Sequence, residues 1–188
     1  MRHKYETRGI VLSRSPAGEA NASVVLLTPD VGLVRARAQG VRRSGAKLAA
    51  ALATFVESDV VLVRGRETWR IAGAVLEENW FTQMRTGARS RAARVSGLLL
   101  RLVAGEVRDA QLFIIIVSFF KALSELPEEM YDAAEMLAVL RMLAVLGLDT
   151  GEIPGELPLF TQPLLATVLK ERVAYVARIN HGIAASGL

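Results

Sequence analysis

Between Val31 and Val56 the chain carries five cations, Arg35, Arg37, Arg42, Arg43 and Lys47, and no carboxylate. Guanidinium and ammonium groups in such a run do one kind of chemistry well: they neutralise and hydrogen-bond the oxygens of a polyanion. The first part of the run alternates. Val34, Ala36 and Ala38 fall on one side and Arg35, Arg37 and Gln39 on the other, which is the period-2 geometry of a half-buried strand. Gly40 releases that strand into a basic loop. The same pattern fits a soluble strand whose solvent face is simply charged, so the rest of the chain has to decide between the two.

Nothing in the sequence assembles a catalytic constellation. Gly40–Lys47 has the look of a phosphate loop, but that motif needs Lys directly after its second Gly and then Ser or Thr for magnesium, whereas Ala46 intervenes here and Leu48 follows Lys47. His3 and His181 stand at opposite ends, with no partner at a useful spacing. Ser13 and Ser44 have no activating base nearby. Glu128, Glu129 and Asp132 cluster where a helix would start, their ordinary structural place. The chain has no cysteine, which excludes disulfides, thiolate metal sites and cysteine nucleophiles and suits a reducing cytoplasm. No enzyme, metal or cofactor is expected.

The net charge of +4 is unevenly distributed. The excess lies within residues 1–80, while residues 81–188 are balanced. That second part is polarised in turn: six arginines oppose Glu106 over Met84–Arg108, and a carboxylate-rich stretch follows over Asp109–Phe160. Such a field steers nucleic acid towards one side of a molecule. The start, Met1–Glu6, is charged and leads into no long apolar run, so no signal peptide is expected. The most apolar stretch, Leu112–Phe120, is far shorter than the roughly 20 residues of a membrane span and reads as a buried helix.

The elements that must position the cations follow from pattern. Strands are predicted over Thr7–Arg14, Ala22–Thr28, Leu33–Gly40, Val60–Arg64 and Trp69–Leu76. A tight turn at Thr28–Gly32 joins the second to the third, and an alanine-rich helix over Ser44–Phe55, capped by Ser44, precedes the fourth. Three strands, a helix and two strands fit a five-stranded barrel of the OB type, with an SH3-like barrel as the competing topology. From Phe81 the period is helical: Met84–Val103, Asp109–Leu126 with Asp109 as cap, a helix from Pro127 to Gly147, a Pro/Gly loop over Leu148–Phe160, and one last helix capped by Thr161. Arg94, Arg101 and Arg108 recur every seven residues and are expected along one flank. The second of these helices is apolar nearly all round and is expected to be surrounded. The fold class is therefore α+β, with an OB-type barrel over residues 1–79 and an all-helical domain over 80–188. Trp69, between Arg66 and Arg70, is the aromatic best placed to stack on a base, with barrel packing as its alternative role.

Several motifs follow in an order and spacing that resemble a known family: Thr7-Arg8-Gly9-Ile10-Val11-Leu12, Gly18-Glu19-Ala20, Leu26-Leu27-Thr28-Pro29, Gly32-Leu33-Val34-Arg35-Ala36 and Gly40-Val41-Arg42-Arg43, continued by Ala50–Phe55 and Val60–Arg64. Over residues 5–80 the chain is similar to the RecO recombination mediators. Its tail, Ile179-Asn180 and Ala185–Leu188, resembles the end of their helical domain, while the intervening part shares only helical character. The resemblance implies an OB domain followed by a helical domain, a cytoplasmic and nucleoid-associated protein, and binding of single- and double-stranded DNA without bond cleavage. It also implies annealing of complementary strands and loading of RecA, with RecR, RecF and single-strand binding protein as further partners. Carried onto this chain, the DNA-binding residues are Arg35, Arg37, Arg42, Arg43 and Lys47, with Arg64 and Arg66. The basic start of the first long helix, Arg85 and Arg89, continues that surface. The chain departs from many members in lacking the four cysteines of a zinc site and in a helical domain compressed around Gly147–Pro163. The competing function is a protein-interaction adaptor with weak or no nucleic-acid binding.

Overall fold

The computed structural model describes residues 4–42, 46, 48–66, 68–106 and 108–188. Five strands, β1 (Lys4–Pro16), β2 (Ala22–Thr28), β3 (Gly32–Ala38), β4 (Val56–Arg64) and β5 (Trp69–Asn79), close into a barrel in the order β1-β2-β3-β5-β4. The long strand β1 makes closure possible. Lys4–Ile10 pairs antiparallel with β4 and Ile10–Pro16 with β2, and an irregularity between Val11 and Ser13 bends the strand where it changes partner. Gly9 sits close to Thr28, Leu26 and Val60, at ordinary contact distance for a Cβ at that position. The last seam is the parallel pairing of β3 with β5, three residues long. Antiparallel neighbours otherwise surround it, and this is the topology expected of an OB-type barrel.

The barrel interior is filled by Val24, Leu26, Val34, Leu62 and Ile71, with Leu52 packed among them from the segment between β3 and β4. The β2–β3 turn is held by Thr28, whose hydroxyl accepts from the Val31 amide and donates to the Gly32 carbonyl, both at 3.1 Å. Gly32 takes the positive φ of 82° that the turn requires. The alanine-rich helix is much shorter than predicted. Only Leu48–Ala51 (α1) is helical, and the expected Ser44 cap lies outside the described residues. A single turn is costly to nucleate, and the chain leaves it through Phe55 at φ 64°, its amide bonded to the Val11 carbonyl at 2.8 Å.

The remaining helices are α2 (Trp80–Gln83), α3 (Thr86–Leu102), α4 (Ala110–Glu125), α5 (Tyr131–Val145), α6 (Gln162–Lys170) and α7 (Arg172–Ala185). Asp109 accepts from the Gln111 amide at 2.7 Å and starts α4, and Thr161 accepts from the Leu164 amide to start α6, both as predicted. The predicted last helix is broken at Glu171 into α6 and α7. Arg108 falls beyond the end of α3, so it does not share a flank with Arg94 and Arg101. The most enclosed helix is α5 rather than α4: it is buried from Met136 to Leu143, whereas Ile114 of α4 is exposed.

The chain forms two compact units. The first takes the residues up to Gln83 together with Gly105–Phe113, and the second takes Met84–Ala104 and Ile114–Leu188. In the second, α3 and α5 are tied by Arg91 to Asp132 at 2.7 Å and by a two-pronged contact of Arg94 with Glu135. Arg141 of α5 is 3% exposed and, among the described residues, pairs with no carboxylate. It donates to the carbonyls of Leu159 and Glu156 and lies over the Phe160 ring, which fastens the loop before α6. Burial pushes this guanidinium down to about 10, still protonated at neutral pH.

Candidate nucleic-acid interface

The alternation in β3 is realised side chain by side chain: Val34, Ala36 and Ala38 are buried, and Arg35 and Arg37 are exposed. Register then adds what local pattern could not. Arg37 pairs with Ser23 on β2 and with Arg70 on β5; Arg70 pairs in turn with Val63, and Val63 with Lys4. One rung of the barrel therefore carries Arg37, Arg70 and Lys4. Trp69 and Ile71, on either side of Arg70, are buried, so Arg70 belongs to the outer face. Among the described residues, none of Arg35, Arg37, Arg70 and Lys4 pairs with a carboxylate. Like charges facing each other across strands are destabilising, so the Arg37–Arg70 rung is a place where an anion gains.

Beside this rung, Arg37, Gln39, Arg64, Thr68 and Arg70 line a notch of about 200 Å³. Arg64 reaches it already engaged. Its Nη1 donates to Glu106 Oε2 at 2.9 Å, and its guanidinium lies over the Trp69 ring at 5.0 Å. Trp69 Nε1 donates to the other oxygen of Glu106 at 2.6 Å. That indole hydrogen bond first, and then Arg64, hold the Glu106 carboxyl below the usual carboxylate range. Trp69 itself is 5% exposed and packs edge-on against Tyr5. Of its two expected roles it takes the packing one, and no base can stack on it.

The other predicted residues are dispersed. Arg66 is exposed in the β4–β5 loop. Arg42 is exposed, and its Nη1 donates to the Gly18 carbonyl at 2.7 Å, across a hollow that Arg14 also lines. Arg14 reaches back to the Ala49 carbonyl of α1. Arg43 and Lys47 lie outside the described residues. Arg85 and Arg89 belong to the second unit, one turn apart where α3 begins. Further along α3 the basic run is partly neutralised, since Arg91 and Arg94 are committed to Asp132 and Glu135. The residue missed from sequence is Arg70. Its alternation with Trp69 and Ile71 was readable, but its pairing with Arg37 was not.

The motif at Thr7-Arg8-Gly9 serves the barrel. Thr7 donates to Asp30 beside the β2–β3 turn, and Arg8 pairs with Glu57, which is 2% exposed and also accepts from Trp80 Nε1 at 3.2 Å. Among the described residues no cluster of His, Cys, Asp or Glu could hold a metal ion, and no helix is long and apolar enough to cross a membrane.

Comparison with known proteins places this geometry. Residues 1–80 match the family described as "Recombination protein O N terminal". The chain is similar to the DNA repair protein RecO of Dehalococcoides mccartyi, with 38% identity over 72 residues, covering 38% of this chain and 28% of that protein. It is similar to the protein of the same name in Gloeobacter violaceus, with 29% identity over 145 residues, covering 76% and 55%. A third, from Synechococcus sp., is 31% identical over 135 residues, covering 66% and 47%. The matches thus span about half, or less, of the length of these relatives. The match is therefore to the RecO N-terminal family and covers the barrel-forming residues 1–80 of this chain.

Proposed function

We propose that the chain is a non-catalytic DNA-binding mediator of recombinational repair, with the barrel of residues 1–79 as its DNA-binding part. One observation carries this reading: Arg35, Arg37 and Arg70 stand on the outer face of the barrel with no carboxylate partner among the described residues. Cations so placed track a phosphate backbone without reading sequence. Arg42, Arg64 and Arg66 add cations on the barrel, and Arg43, Lys47, Arg85 and Arg89 are the further DNA-binding residues of the proposal. A surface that holds two strands by their phosphates leaves their bases free to pair, which is the physical basis of annealing. The names of the relatives support a repair role, and RecA loading with RecR, RecF and single-strand binding protein is the finer form of the proposal.

A groove of about 720 Å³ between α3, α5 and α7, lined by Leu98, Met136, Val139, Val176 and Ile179 and edged by Arg101 and Arg172, favours the adaptor reading as the second one. A filter-binding titration with single-stranded DNA at two salt concentrations separates the readings. If about five cations each neutralise a phosphate, log K falls with log salt at a slope of about −3.5. Absence of binding at low salt leaves the adaptor.

A further inference from the structure

Glu106 has no part in a surface built to attract phosphate, yet it sits on one of that surface's cations. It comes from the segment Gly105–Phe113, which follows α3 in sequence and packs with the barrel. Its two oxygens are divided between Trp69 and Arg64. The indole contact is the sheltered one, since Trp69 is buried. The Arg64 contact is open to water, with 55% of the Arg64 side chain and 32% of that of Glu106 accessible. Arg64 also lines the notch that Arg37 and Arg70 share, so it needs only a side-chain rotation to face a ligand there. An ion pair this exposed contributes about 0.2–1 kcal/mol and is exchanged at little cost.

We propose that Glu106 is a built-in competitor for phosphate: it occupies Arg64 in the free protein and yields it to the backbone of a single strand seated between Arg37 and Arg70. Trp69 keeps Glu106 in place during the exchange, so the carboxylate stays beside Arg64 and recaptures it when the strand leaves. Arg70 and Arg37 hold the phosphate first, and Arg64 is the reserve ligand. The arrangement tempers affinity and speeds release, as a protein that passes strands on requires. The proposal rests on the reading of the barrel as a DNA surface.

The test is a double-mutant cycle on the full chain, with single-stranded oligonucleotide binding measured at several salt concentrations. Glu106→Gln keeps an acceptor for the Trp69 N–H and removes the charge. It is expected to tighten binding about two- to fivefold and to steepen the salt slope by about 0.7 as one more cation becomes available. In the Arg64→Gln background the same change is expected to give no gain. An equal gain in both backgrounds means a general charge effect and overturns the proposal, as does a Glu106→Gln protein that binds no better than the parent. Arg70→Gln serves as a second variant and is expected to lower the slope of the parent by about 0.7. If Arg70→Gln lowers the slope while Glu106→Gln changes nothing, the DNA surface stands and the competitor falls. If the parent itself shows no salt-sensitive binding, both fall together.

Discussion

Arg37 and Arg70 face each other across the parallel β3–β5 seam, two arginines on one rung of the barrel with no carboxylate partner among the described residues. Reversing either charge is expected to weaken single-stranded DNA binding by a similar factor and to reduce the magnitude of the salt slope by at least about 0.7. Both side chains lie on the outer face, so urea midpoints are expected to move by less than about 0.5 kcal/mol equivalent. Filter binding and denaturation on the Arg37→Glu and Arg70→Glu proteins check the two halves of this statement.

Trp69 is expected to act through packing. Trp69→Phe keeps most of the ring but loses the hydrogen bond to Glu106, at a cost of about 1 kcal/mol in chemical denaturation. DNA affinity is expected to stay within about twofold, because a side chain 5% exposed offers no face to a base. A loss of tenfold or more with the fold intact would restore a stacking role, for which about 1–3 kcal/mol per base is typical.

Glu57 and Arg8 form an asymmetric pair, one partner buried and the other reaching solvent. Removing the exposed arginine strands a buried carboxylate with only the Trp80 N–H, so Arg8→Ala is expected to cost about 3 kcal/mol or more. Glu57→Gln leaves an acceptor for Trp80 and an arginine that water can solvate, and is expected to cost about half as much. Urea unfolding of the two variants gives the order directly.

The environment of Glu106 gives a pH prediction. Its carboxyl is held below the ordinary range in the folded protein, so the folded state binds that proton less readily than the unfolded chain. The resulting stabilisation is present above the ordinary carboxylate pKa and is lost as pH falls through the depressed folded value. In a Trp80→Phe protein, where Trp69 is the remaining tryptophan, indole emission is expected to change in the same acidic step. Glu106→Gln is expected to abolish that step.

Much of the fold could be read from local signals. The alternation from Leu33 to Ala38, the Thr28–Gly32 turn and the caps Asp109 and Thr161 each depend on residues a few positions apart. The length of β1 could not be read in this way, because its first residues are strand only through their pairing with β4. Nor could the break at Glu171, since apolar residues continue at helical spacing on both sides of it. The cationic surface divides likewise. Arg35 and Arg37 were visible in a pattern of eight residues, whereas the approach of Arg70 to Arg37, and of Glu106 to Arg64 and Trp69, depends on closure of the barrel and on a segment that returns to it.

That return has a consequence for synthesis. A ribosome releases residues 1–80 with every strand of the barrel present, yet without Glu106 to accept from Trp69 and Arg64, and without Phe113 under the guanidinium of Arg8. The first unit is completed only after the whole of α3, which belongs to the second unit, has emerged. The two units therefore cannot mature one after the other like beads on a string, and a gene cut at the end of β5 would yield a barrel in which the Trp69 indole N–H and Arg64 lack the carboxylate they share.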